Sequence, residues 1–405
     1  MSSRQYPHGR NQRPYRRPRS LTSTVFQIST TAALAYGTYQ AATWAWNYFS
    51  SDDQNANEAQ EESQSTSSSM TRKQKQLSPM ERTRRIHKCR EETLTALVNF
   101  LPTLQSCINE LNDVSKITKA LKQIRHDKKK SLTNSNLMLH LEREEISLWQ
   151  DMKMRSLMQF ISFLYGHCML FLVLTVQVHL LGRRLYESFS VNLKESNSSS
   201  SSSSHAIVLQ STYTYMFESG LHTISQSLSS WFHSQSQNHN STFSNQCWNM
   251  MDPHGITKSQ FRKGIMEIRS FMEHTDDINS HHNNRPLWLS MAVQSSPPSS
   301  LNDNNYHDLE AKYILDQTWD ILESPLFQSC LQQCVQTTLD HLLSQYIDPL
   351  FLEERLPLVK IITKLKTIPT NFIPSPSLSL EPYPFGEILQ NLESVLDLGD
   401  LAFAF

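Results

Sequence analysis

Apolar residues recur at helical spacing from Glu91 onward. A first stripe falls every three or four positions, the period at which side chains share one face of an α-helix. Pro102 lies inside this stripe, and a proline within a helix predicts a kink. The same spacing returns at Ile117 and Leu121, so the pattern predicts a second amphipathic helix. The first stripe consists of Leu94, Leu97, Val98, Leu101, Leu104, Ile108 and Leu111.

A third helical pattern runs from Leu137 to Arg184 and contains the most apolar part of the chain. No Asp, Glu, Lys or Arg lies between Arg155 and Arg183. About 20 apolar residues are enough to cross a bilayer, so the stretch Leu157 to Leu181 passes the length test for a membrane span. A helix that is apolar all round is either a membrane span or the centre of a bundle, and hydropathy alone leaves both readings open.

The rest of the chain continues the helical pattern between polar loops. Glycine is scarce, with 9 residues in all, so tight turns are few and an all-α fold is expected. Together the helices form one domain at 85–405. Ser- and Asn-rich loops are predicted near 196–205, 234–246 and 275–308. Further helices are predicted at Ile207 to Phe232, Phe261 to Met272, Tyr313 to Leu322, Phe327 to Tyr346, Leu356 to Leu365 and Phe385 to Leu398.

The N-terminal region has a different pattern, a basic tail followed by an uncharged segment. Residues 1–20 are rich in Arg and Pro and are predicted to be disordered. Leu21 to Phe49 is long enough to span a membrane, and Trp44 and Trp46 would lie at its interface. The polar residues 50–84 are predicted as a disordered linker. A cleaved mitochondrial presequence is the alternative, because the first 51 residues lack acids.

Composition and motifs argue against several functions, namely nucleic-acid binding, a disulfide scaffold and catalysis. The net charge of -1 gives no global signal for nucleic acid. Six cysteines without regular spacing suit a reducing compartment, and Cys330 and Cys334 are interpreted as core thiols. The His- and Asp-rich stretch His274 to His282 is interpreted as a solvated loop. No phosphate-binding Gly-rich loop, nucleophile elbow or zinc motif occurs, so we expect no enzyme, cofactor, metal or small-molecule substrate.

Six blocks of the sequence resemble the peroxin-3 family, in the family's order and spacing. They are ETLTALVNFLPTLQSCINELN, EEISLWQDMK, VQVHLLGRRLY, STYTYMFESGL, ILESPLFQSCLQQCVQTTLDHLL and LPLVKIITKL. The resemblance implies an all-α, long-helix bundle cytosolic domain preceded by one N-terminal transmembrane helix. It also implies a peroxisomal membrane protein required for peroxisome biogenesis, without catalysis. Its cytosolic domain would be the docking receptor that binds peroxin-19 loaded with peroxisomal membrane proteins and promotes their insertion.

The resemblance also implies a docking site in the block EEISLWQDMK. An exposed Trp in this block would anchor the N-terminal amphipathic helix of peroxin-19, and here that residue is Trp149. Leu121 would line the same groove, and Ile146 and Lys153 share the helical face of Trp149. A basic residue stands four positions before the Trp in some members, whereas this chain has Glu145. Without the resemblance, Trp149 would be interpreted as a core residue.

Topology and targeting depend on the basic residues ahead of the first span. Arg16, Arg17 and Arg19 would place the N-terminus in the cytosol by the positive-inside rule. The resemblance instead implies a luminal N-terminus and a cytosolic domain, with these arginines as a membrane-targeting signal that contacts peroxisomal membrane lipids. We expect the second arrangement. The alternatives are a two-span mitochondrial or plastid membrane protein and a soluble organellar helical scaffold.

Overall fold

The computed structural model describes residues 79–130, 135–191, 212–237, 243, 248–250, 252, 254–273, 286–293, 306–352, 354–372 and 383–404. Within them the fold is all-α, as predicted, except for a two-residue antiparallel pairing of β1 (Ile256–Thr257) with β2 (Arg355–Leu356). The α-helices are α1 (Pro79–Leu111), α2 (Val114–Lys130), α3 (Ser135–Val191), α4 (Leu221–Gln237), α5 (Lys258–Glu273), α6 (Tyr306–Leu322), α7 (Pro325–Leu342), α8 (Leu358–Phe372), α9 (Pro384–Gln390) and α10 (Glu393–Ala404).

Helix α3 is the central element of the fold, and α1 runs antiparallel along it. Gln159 of α3 donates a hydrogen bond to Asn109 of α1, whereas Gly182, near the other end of the described part of α3, lies against Cys89. Residue numbers therefore fall along α1 as they rise along α3. A Cβ atom at Gly182 would lie 2.7 Å from the Cys89 Sγ, so glycine allows the two helices to approach closely here.

The most apolar run of α3 lies in the interior of the bundle. This helix is long and apolar enough to cross a membrane by length and composition, but every residue of its most apolar window is buried within the fold. Two polar side chains in the run form hydrogen bonds inside the fold. Gln177 donates to the Thr212 hydroxyl at 2.9 Å, and His167 lies 3.0 Å from the Tyr383 hydroxyl. This packing favours the core-helix reading of the run.

Several helix boundaries differ from the sequence prediction. Helix α1 begins at Pro79, so 79–84 belong to a helix and not to the predicted linker. The reason is packing, because Ile86 and Cys89 are already buried at this end. Pro102 lies within α1 without ending it. The single helix predicted from Phe385 to Leu398 is two helices, α9 and α10, with Asn391 and Leu392 between them.

Most of the remaining predicted helices are longer in the structure, but the helix predicted from Leu356 to Leu365 begins at Leu358, because Leu356 belongs to β2. Helix α4 continues to Gln237, into the predicted loop 234–246, and a 3-10 turn at Leu287–Met291 lies in the predicted loop 275–308. The basic tail, the anchor Leu21 to Phe49, and the predicted targeting and interface residues lie outside the described residues, as does the loop at 196–205.

Candidate docking site

Helices α2 and α3 form an antiparallel hairpin, and its seam positions the candidate site. Val114, Ile117, Leu121 and Ile124 of α2 are buried at spacings of three and four residues. The facing stripe of α3 includes Leu141 and Met152, also buried. Leu121 is only 4% exposed, so it lies in the floor of the hairpin and not on its surface.

Trp149 lies at the edge of this seam. Its side chain is half-buried and packs against the hydrophobic core. The indole Nε1 donates to Glu145 Oε1 at 3.4 Å, and the Arg125 guanidinium lies 5.3 Å from the ring centroid. A cation at this distance from an aromatic face is attracted by the ring quadrupole. Trp149 is thus held by one residue of its own helix and one of α2.

Glu145 is the charged centre of the hairpin. Its Oε2 accepts a hydrogen bond from Lys128 Nζ at 2.6 Å, and its Oε1 lies 3.5 Å from Arg125 Nε. Burial favours the neutral acid, but the hydrogen bond and positive charge of Lys128, together with Trp149 and Arg125, hold the pKa of Glu145 below its ordinary value. The carboxylate therefore stays ionised at neutral pH and ties α2 to α3.

Apolar side chains are exposed on α3 beside Trp149. Ile146 is 45% exposed and Leu139 is 56% exposed. They are seven residues apart, which places them on one face of the helix, next to the edge that carries Trp149. Exposed large apolar side chains that cluster on one face are typical of protein interaction sites. Trp149, Ile146 and Leu139 are called the apolar face below.

Lys153 occupies a different environment from the one predicted. The helical period places it on the face of Trp149 and Ile146, but it is only 4% exposed. Its ammonium group donates to the Trp248 carbonyl oxygen at 3.0 Å. One turn after Trp149, α3 has already entered the bundle, and the chain around Trp248 covers this face. Lys153 therefore links α3 to the chain around Trp248 inside the fold, and its side chain is not at the surface.

The burial of Lys153 predicts a pH-dependent stability. Burial lowers the pKa of this amine from its ordinary 10.5 to about 8. Between these values the unfolded chain binds the proton that the folded chain has released, so the free energy of unfolding should rise with pH across this window. In Lys153→Met this part of the rise should be absent. Urea denaturation of both proteins at pH 7.5, 9 and 10.5 measures it, and parallel pH profiles would contradict it.

The fold and site define a class of protein. A helical bundle that exposes an apolar face with a fixed tryptophan is suited to binding another protein, since tryptophan is enriched at binding hot spots. The described residues contain no group of three or more His, Cys, Asp or Glu side chains placed to hold a metal ion. The class is therefore a helical-bundle domain with an exposed apolar face.

The family follows from the comparison with known proteins. The family model described as Peroxin-3 matches residues 16–247, more than half of the chain, and the chain belongs to the peroxin-3 family. No curated protein sequence matches it. The match covers both Trp149 and the predicted anchor at Leu21 to Phe49. The protein is a peroxisome biogenesis factor of the peroxisomal membrane, and peroxin-3 is not a known enzyme family.

Proposed function

We propose that this chain is the docking receptor for peroxin-19 on the peroxisomal membrane. The observation that carries the proposal is the apolar face, where Trp149 lies half-buried and fixed beside the exposed Ile146 and Leu139. An amphipathic helix that docks on another protein presents side chains at i, i+3, i+4 and i+7, and this face offers matching positions. The N-terminal helix of peroxin-19 would lay its apolar stripe against it.

The same proposal includes the membrane arrangement. Leu21 to Phe49 anchors the chain in a single pass, the N-terminus is luminal, and the helical domain faces the cytosol. Peroxin-19 loaded with membrane proteins then docks on the domain, and insertion of its cargo follows. The burial of the α3 apolar run supports a single anchor, because this second candidate for a span is occupied in the bundle core.

The basic side of α2 suggests how the partner is attracted. Lys122, Arg125 and Lys129 are exposed, and their spacing of three and four residues places them on one side of α2. Arg125 contacts Trp149, so this positive side borders the apolar face. Charges at the rim of an interface mainly raise the association rate, and salt screens their effect. An acidic flank on the docking helix would be complementary.

The experiment that tests the proposal is a titration of the purified protein with the N-terminal peptide of peroxin-19 at several salt concentrations. We expect saturable binding, and Lys122→Glu should weaken it about threefold or more in low salt through a slower association rate. The difference should disappear near 1 M salt, where the screening length falls to about 3 Å.

Lys116→Glu is the matched control for this titration. Lys116 lies on the opposite side of α2 from Arg125, and its ion pair with Asp113 is exposed, so its loss costs little. A glutamate in the first turn of a helix also interacts favourably with the helix dipole. The variant should bind like the wild-type protein. Absence of binding to the wild-type protein would contradict the receptor proposal. Equal losses of affinity in Lys122→Glu and Lys116→Glu would contradict only the role of the basic side of α2.

A further inference from the structure

The environment of Glu145 assigns it a role that the docking proposal leaves open. The Glu145 side chain lies buried in the hairpin, next to the half-buried Trp149. A buried carboxylate is costly unless charged and hydrogen-bonding groups surround it. Lys128 and Arg125 supply the charges, and the indole N–H of Trp149 supplies a further hydrogen bond. The three interactions converge on the two oxygens of one carboxylate.

This geometry restricts the Trp149 side chain. A half-buried tryptophan at a surface can rotate about its side-chain bonds, and each rotamer presents a different edge to a partner. Here the indole N–H is directed to Glu145 Oε1, while the Arg125 guanidinium covers one ring face. Lys128 holds the other oxygen of the same carboxylate at 2.6 Å. The indole is therefore oriented before any partner arrives.

We propose that Glu145 is a positioning residue, which holds the indole of Trp149 in the orientation that receives the partner helix. The inference rests on the docking role of Trp149 proposed above. A side chain ordered in the free protein loses less conformational freedom on binding, so pre-orientation raises affinity without adding a contact. Arg125 and Lys128, two basic residues of α2, in turn hold the Glu145 carboxylate in place.

The test separates orientation from docking by measuring each one. The full chain, purified in detergent with 5-fluorotryptophan, gives a fluorine resonance for Trp149 that Trp149→Phe identifies. Glu145→Ala should shift or broaden this resonance and weaken binding of the peroxin-19 N-terminal peptide about three- to tenfold. Glu145→Gln keeps an oxygen acceptor for the indole. Its Trp149 resonance and its affinity for the peptide should both be close to those of the wild-type protein. Glu144→Ala, an exposed neighbour on another side of α3, is the matched control and should change neither.

Each outcome decides one part of the inference. An unshifted Trp149 resonance in Glu145→Ala would overturn it, whatever happens to the affinity. A shifted resonance with unchanged affinity would also overturn it, because orientation would then not serve docking. If the wild-type protein itself does not bind the peptide, the receptor proposal fails, and the fluorine resonance alone then decides whether Glu145 positions the indole.

Discussion

Replacing Trp149 with alanine should weaken capture of the N-terminal helix of peroxin-19 by at least about 2 kcal/mol, or roughly thirtyfold in Kd. Truncation removes the largest side chain of the apolar face and the ring that the Arg125 guanidinium covers. Isothermal titration of the wild-type and variant proteins with the same peptide measures the loss.

The fold should survive the Trp149→Ala substitution. The side chain is not fully buried, so we expect the free energy of unfolding to fall by about 1–3 kcal/mol, less than for a core tryptophan. Helical circular dichroism and the urea midpoint are the controls. Near-unchanged affinity with an intact fold would contradict the docking role of Trp149, and a partner would then have to bind elsewhere on the domain.

Trp248→Ala should greatly lower the stability of the fold, in contrast to Trp149→Ala, whose main effect is on binding. This tryptophan is 1% exposed and stacks on Phe261 at a centroid distance of 5.7 Å. Its ring also packs against Phe243 and over Gly264, where an added Cβ atom would lie 2.3 Å from it. Removing a buried aromatic side chain of this size leaves a cavity, so we expect a cost of about 3–5 kcal/mol.

Urea denaturation of the variant measures this cost, and Trp149→Ala is its matched control because the two substitutions delete the same side chain. A midpoint shift as small as that of Trp149→Ala would contradict the packing around Trp248. Gly264→Ala provides a second check, since it crowds the same ring from the other side and should also destabilise the fold.

The sequence predicts much of this fold because helical periodicity is a local signal. The apolar stripe of α1 and the long apolar run of α3 are visible without tertiary information. Hydropathy could not decide whether that run is a membrane span, because bilayer and bundle core select the same side chains. The start of α1 was missed for a related reason: polar residues surround Ile86 and Cys89 and hide the buried positions.

The candidate site is only partly predictable, because its contacts join residues that are far apart in the sequence. Trp149 is found through its sequence block. The burial of Lys153 depends on Trp248, which lies 95 residues further along the chain, and no local pattern reports that contact. From the sequence, Glu145 was interpreted as the loss of a basic residue at this edge. In the structure, its carboxylate pairs with two basic residues of the neighbouring helix.

The antiparallel pairing of α1 with α3 sets how far apart the start of α1 and the proposed docking face lie. Cys89, close to the start of α1, lies beside Gly182, whereas Trp149 lies 33 residues earlier on α3, which is about 50 Å away at 1.5 Å per residue. In the proposed arrangement an anchor precedes α1, and a domain that stands upright on the membrane would hold the proposed docking face well above the bilayer. A flexible tether of about 80 residues has a mean span of this size, so a carrier docked at Trp149 would need a long linker between its docking helix and its cargo-binding part to bring cargo to the membrane.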